Sequence, residues 1–199
     1  MSVDEAVAAV RAGDPVVLPT DTVYGLCASP HTAEPVERMY RLKGRAAFHP
    51  TAIVAADLDA LLECVPELAG RVEELARSLL PGPYTLVLPN PERRFPWLTG
   101  NRQDTIGIRV PALAGPGGEV LRSVGVLAAT SANLAGGRDP RRLEDVPEEI
   151  RAGCEALVDG GELPGVPSTV VDLTGAEPAI LREGAVPAAE VLARLHAAR

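Results

Sequence analysis

At 199 residues the chain has the length of one large domain, able to bury roughly 70% of the surface its unfolded form exposes. Apolar residues make up 46% and charged residues 23%, as in ordinary folded proteins, but aromatics are only 3%, so the core must be built from Val, Leu, Ile and Ala. A formal net charge of -8 argues against a general electrostatic grip on nucleic acid or an anionic membrane, while leaving room for a local basic pocket.

In chain order, Ser2 and Glu5 form a capping box that opens an amphipathic helix carrying Val3, Ala6, Val7 and Val10, closed by Gly13. "PVVLP" (15–19) is a short buried strand that runs into "TDTVYGL" (20–26). A second helix fits "AEPVERMYRL" and ends at Lys43-Gly44-Arg45, and "TAIVAA" (51–56) is a strand. "DLDALLECV" and "ELAGRVEELARSLL" are successive helices stopped by "PGP" at 81–83. Strands follow at "YTLVLP" (84–89), "TIGIRVP" (105–111) and "VGVLAAT" (124–130), with an exposed loop or flap expected over 89–104. "VVDLT" and "AILRE" pair as a hairpin around Gly175, and "PAAEVLARLHAA" is the last helix.

Interleaved helices and strands predict an α/β or α+β layered domain with a mixed sheet. With no linker-like stretch, the expectation is a single domain over 1–199. No apolar run approaches the roughly 18 residues of a membrane span, and the opening helix does not resemble a signal peptide. Cys27, Cys64 and Cys154 are odd in number and widely spaced, so they are expected to be reduced core residues of a cytoplasmic protein.

Lys43 is the single lysine beside 18 arginines. A solvated surface cation tolerates arginine; a position that needs one compact ammonium does not. Lys43 and Gly44 also suit a plain helix C-terminus with a left-handed cap, so the two readings compete there. In "TIGIR", Thr105, Gly107 and Arg109 share one strand face opposite Ile106 and Ile108, a wall suited to an anion. "ATSANLAGG" (129–137) leaves a strand with Thr130, Ser131 and Asn133 before its glycines, groups suited to phosphate oxygens. Thr20-Asp21-Thr22, Ser168-Thr169 and Arg182 stand at further strand ends, where α/β sheets place ligands. Neither a Walker sequence nor GxGxxG is present, and His31, His49 and His196 lack metal-ligand spacing.

Seven strings occur in order between residues 18 and 186: "LPTDTVYGL", "KGR" with Pro50 five residues on, "LLPGPYTLVLP", "TIGIRVP", "ATSANLAGG", "PSTVVDL" and "ILREGAV". Together they resemble the YrdC-like family of threonylcarbamoyl-AMP synthases, in its single-domain form. The resemblance implies a three-layer α/β fold with a twisted mixed sheet and a deep central cavity. It also implies formation of threonylcarbamoyl-adenylate and pyrophosphate from L-threonine, bicarbonate and ATP, for the modification of tRNA adenosine 37. By the match, Lys43, Arg45, Ser131 and Asn133 are the catalytic set. Arg45, His49, Thr105, Ser131, Asn133 and Arg182 would hold ATP, and Thr22, Arg109 and Ser168 would hold threonine, with Arg109 forking the carboxylate. Mg²⁺ would arrive with ATP without direct protein ligands, and a tRNA threonylcarbamoyltransferase complex would take the product.

The chain departs from the family at Ala46, where proline is usual, at His49 and Thr51, where "NPL" becomes "HPT", and at Val54, where a histidine near threonine is common. Two other readings are a protein that binds double-stranded RNA or the ribosome, and a paralogue with a different carbamoylated acceptor. The acidic balance and the lack of a Lys/Arg run weigh against RNA contact.

Overall fold

The structure is a computed structural model describing residues 1–44 and 49–197. Helix α1 (Val3–Ala12) starts at the Ser2–Glu5 capping box and stops at Gly13, whose φ of 87° lies in the left-handed region. Strand β1 (Val16–Pro19) follows, then β2 (Tyr24–Ala28) and α2 (Ala33–Lys43), which ends on the left-handed Gly44. Next come β3 (Ala52–Ala55), α3 (Leu58–Cys64), α4 (Gly70–Leu79), β4 (Tyr84–Pro89) and β5 (Thr105–Arg109). Helix α5 (Gly115–Val124) leads into β6 (Val126–Ser131), and α6 (Glu148–Gly153) into the short β7 (Ala156–Leu157). The hairpin β8 (Thr169–Asp172) and β9 (Ala179–Arg182) precedes α7 (Ala188–Ala197).

The described strands form one mixed sheet in the order β7-β1-β2-β6-β3-β5-β4-β8-β9. Pairs β1–β7, β3–β5 and β4–β8 are parallel and the other neighbours antiparallel. Strand alternation sends Val17, Leu26, Ile53, Leu86, Ile108 and Ala128 to one face, where they pack with Val36 and Met39 of α2, Leu75 and Leu79 of α4 and Val191 and Leu195 of α7. The opposite face carries Val16, Leu18, Cys27, Val54 and Leu127, packed with Ala6, Val7 and Val10 of α1 and Val120 and Leu121 of α5. These two helices lie mainly over the β7–β1–β2–β6 side, leaving parts of β2 and β3 open at the cavity. The rest of that face, with Gly25, Val54, Val87, Gly107, Arg109 and Val170, is the floor of a cavity. The expected layered mixed-sheet fold is thus observed, with a cavity where the third layer is incomplete.

Three elements differ from the sequence reading. Helix α5 contains "GPGG", poor helix formers, yet a β-carbon on Gly117 would lie 2.1 Å from the Pro19 carbonyl oxygen. Close packing against β1 takes precedence over propensity there. The strand expected from residue 124 begins at Val126, because Val124 closes α5 and Gly125 breaks the chain. The 89–104 segment is not a simple exposed flap: Asn90, Leu98 and Thr99 are buried. Asn90 Nδ2 donates to the Arg94 and Gln103 carbonyls, Asn90 Oδ1 accepts from Arg94 N–H, and Trp97 Nε1 donates to the Pro30 carbonyl at 2.9 Å.

Candidate active site

Lys43 is in the last turn of α2, which ends on a left-handed glycine cap, and its side chain is turned inward. It is only 5% exposed. Its Nζ donates to the Ser131 carbonyl at 2.6 Å, the Asn133 carbonyl at 2.9 Å and Asn133 Oδ1 at 2.6 Å, with Ser131 Oγ at 3.4 Å. Ser131 Oγ donates to Asn133 Oδ1 at 2.7 Å, and Asn133 Nδ2 donates to the Gly137 carbonyl at 2.5 Å. Ala135 N–H closes the loop on the Lys43 carbonyl at 3.0 Å. The end of β6 and the turn after it therefore wrap around one ammonium, in a geometry that a larger planar guanidinium would not reproduce.

A second cluster lies further along the sheet. Thr20 Oγ1 accepts the N–H groups of Thr22 and Val23 and donates to the Val23 carbonyl, a hydroxyl-stabilised turn that fixes Asp21 and Thr22 after β1. Thr22 is 1% exposed, and its Oγ1 accepts from Arg109 Nη2 at 2.9 Å. The same nitrogen is paired with Asp21 Oδ1, in an ion pair whose side chains are each 11% exposed. Arg109 Nε and Asp21 Oδ2 are buried and make no hydrogen bond. Nη1 is left as the nitrogen available to a ligand; a two-nitrogen fork on a carboxylate would need Asp21 or Thr22 to release Nη2.

Ser168 is buried, shares a 2.8 Å hydrogen bond with Thr85 Oγ1, and receives Arg182 Nη2 on its carbonyl at 2.8 Å. Thr105 is buried and donates to the Arg102 carbonyl at 3.2 Å. His49 is exposed at the rim. Thr22, Lys43, His49, Thr105, Arg109, Ser131, Asn133, Ser168 and Arg182 all line one cavity of about 630 Å³. Arg45 and Ala46 lie outside the described residues. Val54, at the place of the family's histidine, also lines the cavity.

The sequence reading assigned no role to Thr85 or Arg102, which line the same cavity. Thr85 had a usable signal, since in "YTLVLP" it shares a face with Val87. Among the described residues of the wall the acidic one is Asp139, against Lys43, Arg102, Arg109 and Arg182. Among the described residues, no group of three or more His, Cys, Asp or Glu is placed to hold a metal ion. The donor set, hydroxyls and cations, suits a metal ion already carried by phosphate oxygens.

Strand register separates the backbone levels of the two clusters: Arg109 is level with Val54 on β3, whereas Ala129 is level with Ala52 and Ser131 lies two residues beyond. The Arg109 side chain reaches from its level to Thr22, which shortly precedes Gly25, the β2 partner of Ser131.

This is a mixed α/β protein with a cavity lined by hydroxyls and cations on one face of its sheet. The family model Sua5_yciO_yrdC, described as "Telomere recombination", matches residues 8–184, and the chain belongs to that family. It is 38% identical over 183 residues to threonylcarbamoyl-AMP synthase of Pyrococcus abyssi, covering 92% of this chain and 54% of that protein. It is 33% identical over 189 residues to threonylcarbamoyl-AMP synthase of Bacillus subtilis, covering 92% of this chain and 53% of that one. The crystal structure of P. abyssi Sua5 complexed with L-threonine superposes with a TM-score of 0.86 at 36% identity, over 96% of this chain and 56% of that one. The chain thus spans about half the length of these relatives.

Proposed function

We propose that the chain is a threonylcarbamoyl-AMP synthase, joining L-threonine, bicarbonate and ATP into threonylcarbamoyl-adenylate with release of pyrophosphate. The observation that carries this reading is the gathering of two polar clusters within one cavity. The Lys43–Ser131–Asn133 end takes the α-phosphate, and the Arg109–Thr22–Ser168 end takes the amino acid. The likeness to the threonine-bound P. abyssi protein supports the second assignment.

In this reading the amino acid carboxylate docks on Arg109 Nη1; its ammonium gives one proton to bicarbonate, which breaks down to CO₂ and water, and the freed amine attacks the CO₂ carbon, its second proton passing to solvent as the carbamate forms. Orientation of the two reactants in the cavity supplies most of that step. A carbamate oxygen then attacks the α-phosphorus, the bond to the bridging oxygen breaks, and pyrophosphate leaves with the bonding pair. Lys43 stabilises the charge that builds on the phosphoryl oxygens, and Ser131 and Asn133 hold them in place. Thr105, His49 and Arg182 are assigned to the nucleotide and its departing phosphates. Mg²⁺ enters as part of the substrate and shields the β- and γ-phosphates; the protein ties it down through the phosphates it holds.

By the same proposal, residues 1–199 act as one catalytic unit in the cytoplasm, and a tRNA threonylcarbamoyltransferase complex consumes the labile product. No helix among the described residues is long and apolar enough to cross a membrane. The test is pyrophosphate release with ATP, Mg²⁺, bicarbonate and threonine, omitting each in turn. Dependence on all of them is expected. Release that ignores threonine and bicarbonate would overturn the synthase reading, and salt-sensitive RNA binding without turnover would put an RNA-binding role in its place.

A further inference from the structure

Asp21 belongs to none of the substrate-binding roles assigned above, and it does not line the cavity; it stands behind Arg109, which does. We propose that Asp21 is a positioning and specificity residue: by neutralising Arg109 from behind, it makes that end of the cavity accept a zwitterionic amino acid and reject a simple carboxylic acid. The inference rests on the reading that an amino acid docks at Arg109.

The argument starts from the half-made geometry of the pair. A carboxylate and a guanidinium facing each other squarely form two parallel hydrogen bonds. Here Asp21 Oδ1 meets Nη2, while Oδ2 and Nε are both buried and both without a partner. Two unpaired buried atoms in one contact are a cost that a purely structural ion pair would be expected to relieve by a small rotation. The pair is held off that arrangement by Thr22, whose hydroxyl takes the second hydrogen of Nη2 at 2.9 Å, and by the Thr20 turn that fixes residues 21 and 22. The effect is to keep Nη1 out of the pair, on a side chain that lines the cavity, and to leave the guanidinium with a compensating charge on Asp21, which does not.

The consequence is electrostatic. A ligand carboxylate on Nη1 completes a row of minus, plus, minus, which carries net negative charge in a poorly solvated wall. A ligand with an ammonium next to its carboxylate restores neutrality; one without it does not. The site would therefore select for the amine that the proposed reaction consumes, before any chemistry occurs.

The experiment is titration calorimetry of the full chain and of Asp21→Asn, with L-threonine and with 3-hydroxybutanoate, its analogue without the amine. The wild type is expected to prefer threonine by more than about tenfold, the effect of one charge acting over a few ångströms. In Asp21→Asn, which keeps the shape and removes the charge, threonine should weaken by about tenfold while 3-hydroxybutanoate holds or tightens. Equal losses for both ligands, or no change for either, would overturn the proposal in favour of a structural role. If the variant does not fold, the wild-type panel still decides: 3-hydroxybutanoate binding within twofold of threonine overturns it. A wild type that binds neither ligand overturns the amino acid reading itself, a failure distinct from the others.

Discussion

The two polar clusters of the cavity, each proposed to hold an anion, differ in their degree of internal satisfaction. At the Lys43 end every polar atom named has a close partner: the ammonium sits on two carbonyls and an amide oxygen, and the Asn133 amide is pinned to Gly137. At the Arg109 end two buried atoms of one ion pair go unmatched. The first is a finished network that specifies a single geometry, at the expense of leaving its acceptors exposed to loss if any member is removed. The second retains capacity, and its selectivity depends on charge balance more than on contact. A reaction that must fix a phosphate rigidly and admit a small amino acid calls for that division.

The largest break in this contrast is expected from Lys43→Ala. Pyrophosphate release should fall by about 10²–10³-fold, the loss typical for one transition-state donor. The Ser131 and Asn133 carbonyls lose the ammonium at once, while Asn133 Oδ1 keeps Ser131 Oγ, so a stability loss of about 1–3 kcal/mol should accompany it in denaturant unfolding without a change of fold. Lys43→Arg should be nearly as damaging to turnover, because the cradle around Nζ fits a point-like ammonium; near-normal activity would show that charge alone suffices at that end. At the other end, Ser168→Ala should act mainly on threonine, raising its KM by about tenfold while leaving saturated turnover within about threefold.

A smaller effect tests what an unmatched atom in the cavity wall costs. Thr51 Oγ1 is buried without a partner, so Thr51→Val should raise stability by up to about 1 kcal/mol in thermal or denaturant unfolding. A loss of stability would mean that the hydroxyl has a partner in solution. The smallest effect concerns the thiols. Burial raises Cys27 and Cys154 to about 12 and also raises Cys64, so each stays protonated at pH 8, where a thiolate would be needed for attack. A colorimetric thiol assay at pH 8 should therefore find the fully buried Cys27 silent until denaturant exposes it, with any early signal coming from the partly exposed thiols. Since these values are raised in the folded state, the stabilisation they reflect is present below about pH 9 and is lost as pH climbs toward 12. Cys27 shares the β2 face with Gly25 of the cavity floor, so early labelling of it would report opening beneath Arg109.

Local rules made much of this legible. Alternation in "TIGIR" placed Thr105, Gly107 and Arg109 on the wall and Ile106 and Ile108 in the core, as observed. The capping box at Ser2 and the left-handed Gly44 were likewise readable from a few adjacent residues. What stayed hidden depends on contacts across the chain. The Asp21–Arg109 pair joins residues 88 apart, and nothing near Asp21 in sequence distinguishes it from a turn residue. Strand β2 holds a glycine and only five residues, and β7 only two; their strand character comes from the neighbours that flank them. Helix α5 was obscured by the very glycines that let it approach Pro19. The 89–104 segment looked exposed because its composition is polar, yet Asn90 uses its polar side chain to replace missing backbone partners.

The sheet order has a kinetic corollary. Strand β6 is inserted between β2 and β3 although it follows both by a long stretch of chain: Gly25 faces Ser131, and Ala52 faces Ala129. The ammonium of Lys43 likewise closes on a residue 88 positions later. Such high contact order makes for slow assembly, because distant segments must meet before either gains much from the encounter. It also means that no fragment ending before β6 can own the phosphate-holding end of the cavity. Recovery of nucleotide binding during refolding would thus time the docking of the central strand, making the ligand a clock for the last long-range closure of the chain.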